Sequence, residues 1–452
     1  ISRGKQIAPL LSQRLSSLSF RIAPEARGRV KQALVKIGFP AEDLAGYAPG
    51  ETLPIALRDQ TRAGEALVLR PYQREAAAAF HAGGSARGGS GVIVLPCGAG
   101  KTVVGMACMA QVESSTLILT TSVTATRQWM SELLDKTTLH EDQIGEYSGQ
   151  TKNVRPVTIA TYNIMTYRER KDSEFRHLAL FDQRNWGLIV YDEVHLLPAP
   201  VFQVTATLQA RRRLGLTATL VREDGREDDV FALIGPKKTD VPWKILESQG
   251  WIAKASCTEI RVPLPAADRM PYAIADARSK FRIASENPNK TAIVREILAM
   301  HPTDQVLIIG MYVDQTKSIA SLLDVPVLTG STVQRKRDKL YASFRQGQTR
   351  VLAVSKVANF AVDLPDAAVA IQISGTFGSR QEEAQRLGRI LRPKAGENQA
   401  HFYSLVTRDT VEQDFAHKRQ LFLCEQGYEY HIRDFDEGTE TPGRLSARRA
   451  GL

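Results

Sequence analysis

The sequence predicts an α/β fold with two parallel β-sheets in tandem, and three observations carry that reading. Unbroken β-branched apolar runs, such as VIVL at 92–95, suit strands covered on both faces. Helix-length patterns alternate with such runs in two separate stretches of chain. At 452 residues the chain also exceeds the size at which one hydrophobic core stops growing.

Residues 1–62 read as a small N-terminal accessory segment, with one helix expected over 29–37, ended by Gly38 and followed by Pro40. The first α/β domain is expected over 63–240, with strands at 92–95, 117–119, 157–160, 188–191 and 214–216. The stretch AGGSARGGSG (82–91) has linker composition, but it separates a helix from the first of these strands and so reads as a loop within the domain. Residues 217–300 are richer in charge and proline, with REDGREDD and NPNK as loop signals. The second domain is expected over 241–436, with strands at 306–309, 351–354, 369–373 and 401–406. Helices are expected there at 315–323, 332–344, 380–390 and 410–423. The small, polar residues 437–452 are expected to form a tail.

Composition sets bounds on function. Charged residues at 24% and apolar ones at 43% describe an ordinary soluble protein. No apolar run is long enough to span a bilayer and the N-terminus is not signal-like, so a cytoplasmic protein without membrane contact is expected. Cys97, Cys108, Cys257 and Cys424 lie far apart with no CxxC pair. That argues against a zinc ribbon, an iron–sulfur cluster or a disulfide framework. The net charge of +10 permits a polyanionic partner without requiring one. The chain starts at Ile1 rather than Met, which fits a piece of a longer protein.

The chemistry is concentrated at strand ends. In GVIVLPCGAGKT (91–102), a strand runs into a turn built on Gly98, Ala99 and Gly100, and then into a helix. Converging amides before a helix N-terminus make a phosphate site. Lys101 would reach the outer phosphates and the Thr102 hydroxyl would ligate Mg²⁺. The general phosphate-loop pattern opens on glycine where this chain has Leu95. A strand–helix turn with an exposed lysine would look alike if it stood alone. In GLIVYDEVH (187–195), a second apolar strand delivers Asp192 to hold Mg²⁺ through water and Glu193 to polarise the attacking water as general base. In LGLTATLVRED (214–224), Thr217 and Thr219 end a third strand, where they are expected to couple hydrolysis to movement through His195. In EEAQRLGRILRP (382–393), Gln385, Arg389 and Arg392 fall on one helical face. Arginines so placed stabilise charge developing on a γ-phosphate. Upstream, LRPYQREAAAAF (69–80) sets Arg70, Tyr72 and Gln73 before a helix, with Gln73 suited to the N6/N7 edge of adenine. Each motif taken singly also has a bland reading: an acidic turn, a solvated basic face, a capped amphipathic helix.

Taken in order, LRPYQ, LPCGAGKT, DEVH, TAT, SKVANFAVDLP and QRLGRILR resemble the motifs of superfamily 2 helicases. GVIVLPCGAGK, LGLTATLVRED, LIGPK and GWIAK are similar, more narrowly, to the XPB family, over roughly residues 63–430. The resemblance implies two RecA-like domains with ATP and Mg²⁺ between them, and 3′ to 5′ movement on DNA. It also implies an unwinding element at Arg222, Glu223 and Asp224, and a thumb-like insertion around 268–288. Thr161 in IATYN, Thr329 in TGST, and Ser355 and Lys356 in SKVANF become candidate DNA contacts, sequence-independent and salt-sensitive. A prokaryotic, monomeric, nucleoid-associated enzyme is the expectation, with a nuclease partner suggested by family likeness alone. Three alternatives stay open: an RNA-dependent ATPase, a duplex-DNA translocase, and an ATP-gated DNA-binding scaffold without strand separation.

Overall fold

The computed structural model describes residues 5–435 apart from 24, 25, 45, 171, 172, 174, 209, 210, 220–226, 356–366, 376–382, 384, 385, 389 and 392–397. The chain divides into two compact units, one of residues 1–96 and 100–241, the other of residues 97–99 and 242–452.

The first unit is built on a seven-stranded sheet: β1 (Ser90–Val94), β2 (Thr116–Thr120), β3 (Ile144–Tyr147), β4 (Val157–Thr161), β5 (Leu188–Asp192), β6 (Arg212–Thr217) and β7 (Lys237–Asp240). All neighbours pair in parallel, in the order β3-β4-β2-β5-β6-β1-β7. Every residue of β1, β2 and β4 is buried, as unbroken apolar strands covered on both faces require. β5 is buried from Leu188 to Tyr191 and opens only at Asp192. Because β5, β6 and β1 are consecutive in the sheet, their carboxyl ends stand side by side. Asp192 faces Leu216, and Thr217 faces Val94. The helices that matter for the site are α2 (Pro71–His81), α3 (Lys101–Val112) and α4 (Val123–Lys136).

The N-terminal segment packs on this first unit. Its helix α1 (Arg27–Lys36) starts two residues earlier and ends one residue earlier than the sequence suggested, and Gly38 follows it at φ +80. Arg27 and Lys31 both reach Asp43, and Gln32 Nε2 donates to Asp229 Oδ1 at 3.1 Å. Buried Arg213 of β6 donates to Leu233 O and Ser90 Oγ, with its guanidinium 5.6 Å from the Tyr47 ring.

The second unit repeats the topology. Its strands are β8 (Lys254–Val262), β9 (Val306–Gly310), β10 (Val327–Leu328), β11 (Val351–Ser355), β12 (Val369–Gln372), β13 (Gln399–Thr407) and β14 (Tyr430–Asp434). They are all parallel, in the order β10-β11-β9-β12-β13-β8-β14. Numbered from its own first strand, each sheet therefore runs 3-4-2-5-6-1-7. The charged stretch around 268–288 folds as two helices, Ala266–Ile274 and Ala277–Ser285. The second is capped by the Asp276 carboxylate, which accepts the Arg278 and Ser279 N–H groups. Helices Val313–Leu322, Gln334–Arg345 and Val411–Glu425 lie close to the expected spans. Of the helix expected at 380–390, residues 383, 386–388 and 390 are described; 383 and 386–388 are helical and 390 is in a turn.

Strands β3, β7, β8, β10 and β14 were not evident in the sequence. β8 reads KASCTEIRV, with no apolar run, because its polar residues are paired within the sheet. Glu259 accepts Arg261 Nε at 3.0 Å and the Tyr430 hydroxyl at 3.1 Å.

NPNK, a loop signal in the sequence, ends in a fully buried ion pair. The Lys290 ammonium donates to Glu412 at 2.8 and 2.9 Å, to Ile373 O at 3.0 Å and to Ser285 O at 3.2 Å. Glu412 also accepts the Thr407 N–H. Burial pushes the Lys290 amine below its ordinary range, and the Glu412 carboxylate opposes that shift. Replacing Lys290 with Met strands a buried carboxylate and should cost about 3–5 kcal/mol in the unfolding of this unit. Lys290→Met with Glu412→Gln should recover at least half of that, since the amide still accepts Thr407 N–H. Denaturant unfolding of the single and double variants checks both values.

Candidate nucleotide site

The site starts where β1 stops. The Leu95 N–H donates to Thr217 O, which joins the root of the turn to the end of β6. Gly98 and Gly100 take left-handed backbone angles, φ 82 and φ 81, that side chains other than glycine rarely adopt. Gly100 is also the residue before α3, and a Cβ there would lie 2.5 Å from Gln73 Nε2. Lys101 and Thr102 open the first turn of α3, so the backbone amides of that turn point out of the helix start.

Across the sheet edge, Lys101 Nζ lies 3.3 Å from Glu193 Oε1. Asp192 is held by three donors. Trp129 Nε1–H donates to its Oδ2 at 2.9 Å, the Glu193 N–H to its Oδ1 at 3.1 Å, and the Tyr162 hydroxyl to its carbonyl at 3.0 Å. Burial, then the neighbouring Glu193 charge, pushes the Asp192 carboxyl up to about 6, while Trp129 and Lys101 pull it down. Two carboxylates against one ammonium leave an excess of negative charge. Together with the Thr102 hydroxyl they form an all-oxygen donor set of the kind Mg²⁺ takes, few in number because water and phosphate supply the rest. Among the described residues no cluster of three His, Cys, Asp or Glu could hold a metal by itself.

Glu193 turns the chain out of β5 at φ 50 and ψ 54, and a short 3₁₀ turn, Val194–Leu196, follows. That turn brings buried His195 back to the sheet edge, with Nδ1 2.7 Å from Thr217 Oγ1 and 3.5 Å from Glu193 Oε2. The Thr217 hydroxyl donates to Thr219 O at 2.5 Å and accepts the Thr219 N–H at 3.2 Å. With its proton directed at Thr219 O, Thr217 Oγ1 acts as acceptor toward His195, which assigns the proton to Nδ1. A continuous polar row thus runs Lys101–Glu193–His195–Thr217–Thr219.

The remaining expected residues are placed as follows. Arg70 precedes α2, with Nη1 3.1 Å from the Tyr72 hydroxyl. Gln73 Oε1 accepts the Arg70 N–H at 3.0 Å, so its carbonyl is engaged in capping the helix while Nε2 faces Gly100. Thr161, Thr329 and Ser355 stand at or just past the ends of β4, β10 and β11, all buried. Thr161 Oγ1 accepts the Ile164 N–H, and the Thr329 hydroxyl meets Ser331 Oγ at 2.9 Å. Arg222, Glu223, Asp224, Lys356, Gln385, Arg389 and Arg392 lie outside the described residues. Trp129 and Tyr162, which hold Asp192 in place, were not singled out in the sequence. Tyr162 adjoins Thr161 in IATYN, and that adjacency was the one available signal.

The C-terminal helicase model of ERCC3/RAD25/XPB matches residues 246–447, and that of the type III restriction enzyme res subunit matches 66–222. The DNA 3′-5′ helicase XPB of Mycobacterium tuberculosis is 57% identical over 437 residues, 97% of this chain and 77% of that protein. The chain belongs to the XPB family of DNA helicases. A family member from Kineococcus radiotolerans is 55% identical over 97% of this chain and 76% of its own length. The Saccharomyces cerevisiae factor IIH helicase/translocase subunit XPB/SSL2 is 35% identical over 95% of this chain and 52% of its own. In fold, S. cerevisiae Dbp5 bound to RNA and ADP BeF3 superposes with a TM-score of 0.56 at 13% identity, covering 80% of this chain and 89% of that one. The two RecA-like sheets expected from the motifs are the observed fold.

At the start of α3, Lys101 is a partly exposed charge paired with Glu193 rather than a core residue. Lys101→Ala should therefore abolish nucleotide binding and hydrolysis while leaving the melting temperature nearly unchanged. Equilibrium nucleotide binding and thermal unfolding of one preparation check this together.

Proposed function

We infer that this chain is an ATP-dependent DNA helicase that moves 3′ to 5′ along one strand. The observation that carries this reading is the polar row from Lys101 to Thr219 along three adjacent strand ends, in a chain 57% identical to a protein named for that activity.

ATP phosphates bind the amides of Gly98, Ala99 and Gly100 at the start of α3, with Lys101 on the outer phosphates. Thr102 and Asp192 hold Mg²⁺, which when bound neutralises phosphate oxygens and polarises the γ-phosphoryl group. A phosphate at the loop competes with Glu193 for the Lys101 ammonium, and that exchange turns the Glu193 carboxylate toward water. Glu193 then takes the proton of the attacking water as general base. His195 and Thr217 pass the change at Glu193 to Thr219, and so to the Arg222–Glu223–Asp224 element three residues on. Gln385, Arg389 and Arg392 contribute positive charge and polar contact to the transition state, while Arg70 and Gln73 read the adenine. Gln73 does so through Nε2, since its carbonyl caps α2. Thr161, Thr329, Ser355 and Lys356 contribute to phosphate-directed, sequence-independent DNA binding, and the segment 268–288 acts as a thumb. A cytoplasmic, nucleoid-associated monomer with a nuclease partner completes the proposal. The eukaryotic relatives are named as helicase/translocase subunits, which favours duplex translocation as the second reading.

Glu193→Gln should retain ATP affinity and lower turnover by roughly 10²–10⁴-fold. ATPase assays with duplex DNA, single-stranded DNA and RNA, beside strand displacement on 3′- and 5′-tailed duplexes, test the substrate and the direction. Stimulation by RNA alone would overturn the DNA assignment, and stimulation by duplex without displacement would select the translocase. Replacing Arg222, Glu223 and Asp224 together with alanine should impair displacement far more than DNA-stimulated ATPase, compared at one salt concentration.

A further inference from the structure

Trp129 has no place in the phosphate chemistry, yet it is 2% exposed and spends its single polar atom on Asp192. An indole N–H only donates, so in this contact the carboxylate is the acceptor. The other Asp192 oxygen accepts the Glu193 N–H. Each oxygen thus holds one donor and keeps one lone pair for a further partner, and the plane of the carboxylate is set from both sides.

A second observation shows that the indole is held as firmly as it holds. Its ring lies against α3 at Gly105, one turn after Lys101. A Cβ at Gly105 would sit 2.7 Å from ring carbon Cη2 of Trp129 and 3.1 Å from Leu216 Cδ1. Glycine inside a helix is unfavourable by roughly 0.5–1 kcal/mol relative to alanine, and here the Cβ of alanine would force the ring to shift. One side chain, borne by α4, therefore lies against the helix that starts with Lys101 and Thr102 and donates to the carboxylate of β5.

We propose that Trp129 is a positioning residue that fixes the orientation of the Asp192 carboxylate toward Mg²⁺ and keeps it in register with Thr102. This rests on the reading of Asp192 and Thr102 as the Mg²⁺ residues. Its indole touches neither nucleotide nor metal; it acts through Asp192 alone. Partners of this kind around a metal residue are commonly worth 10–100-fold in metal affinity.

The test compares wild type, Trp129→Phe and Trp186→Phe. Trp186 is a fully buried tryptophan of the same unit whose indole donates to Leu180 O, away from the site, so its variant controls for loss of core packing. Binding of a fluorescent adenine nucleotide is titrated with Mg²⁺ and repeated in EDTA. In Trp129→Phe the Mg²⁺ concentration at half-maximal binding should rise at least about 10-fold. Nucleotide affinity in EDTA should stay near wild type, and Trp186→Phe should keep the wild-type Mg²⁺ midpoint at a comparable loss of melting temperature. An unchanged midpoint in Trp129→Phe overturns the proposal, as does an equal loss of affinity with and without Mg²⁺, which would mark Trp129 as packing only. A wild-type protein indifferent to Mg²⁺ would instead overturn the metal reading on which the proposal rests.

Discussion

All seven strands of each sheet run in one direction, and the rest of the molecule depends on that constraint. Inside such a sheet the backbone groups are paired and both faces are covered, so most strand interiors are apolar, and the polar side chains within them, such as Arg213 and Glu259, are paired. Polar side chains emerge where the strands end, and in a parallel sheet the carboxyl ends share one edge. Strand order then decides which ends are neighbours. Gly100, Asp192 and Thr217 are far apart in sequence, but β1, β6 and β5 are adjacent in the sheet. The ion pair between Lys101 and Glu193 and the short contact of His195 with Thr217 follow from that adjacency. The same edge in the second sheet carries Ser355 and, just beyond β10, Thr329.

What could be read from the sequence follows the same division. The buried strands announced themselves because unbroken runs such as VIVL and LIVY have no other stable use in a chain of this composition. The end residues Lys101, Thr102, Asp192 and Glu193 were legible because each follows such a run at a fixed offset. β8 was hidden, since Glu259 and Arg261 look like solvated charges until Tyr430 and the sheet supply their partners. Lys290 was hidden for a similar reason: a lysine closing NPNK reads as loop until Glu412, 122 residues away, neutralises it in the core. Trp129 left no local signal at all, because its role is defined by Asp192, 63 residues further on. Long-range pairing of polar groups is the information that periodicity does not carry.

The two sheets also show how little of the chemistry belongs to the fold. Both have the strand order 3-4-2-5-6-1-7, and both place their first strand one position in from an edge. After β1 the chain continues LPCGAGKT, and after β8 it continues PLPAADRM. The first continuation has two left-handed glycines and a helix that starts on lysine. The second has prolines and a helix that starts on alanine, with no backbone able to close around a phosphate in the same way. Identical scaffolds thus offer identical edges, and a handful of residues after one strand decides which edge becomes a site.

Glu193 bears on the protein's tolerance of change. At φ 50 it adopts a left-handed conformation that is unfavourable by roughly 1–3 kcal/mol for a residue with a Cβ. Most other described non-glycine residues in that region, such as Ala82 and Glu113, merely terminate helices. Glycine at 193 would relax the backbone and remove the carboxylate in one step, so this position sets thermal robustness against turnover. Selection for stability alone, in a laboratory or in a lineage that no longer needs the activity, would drift toward glycine here, and a stabilised but inert homologue would carry that signature.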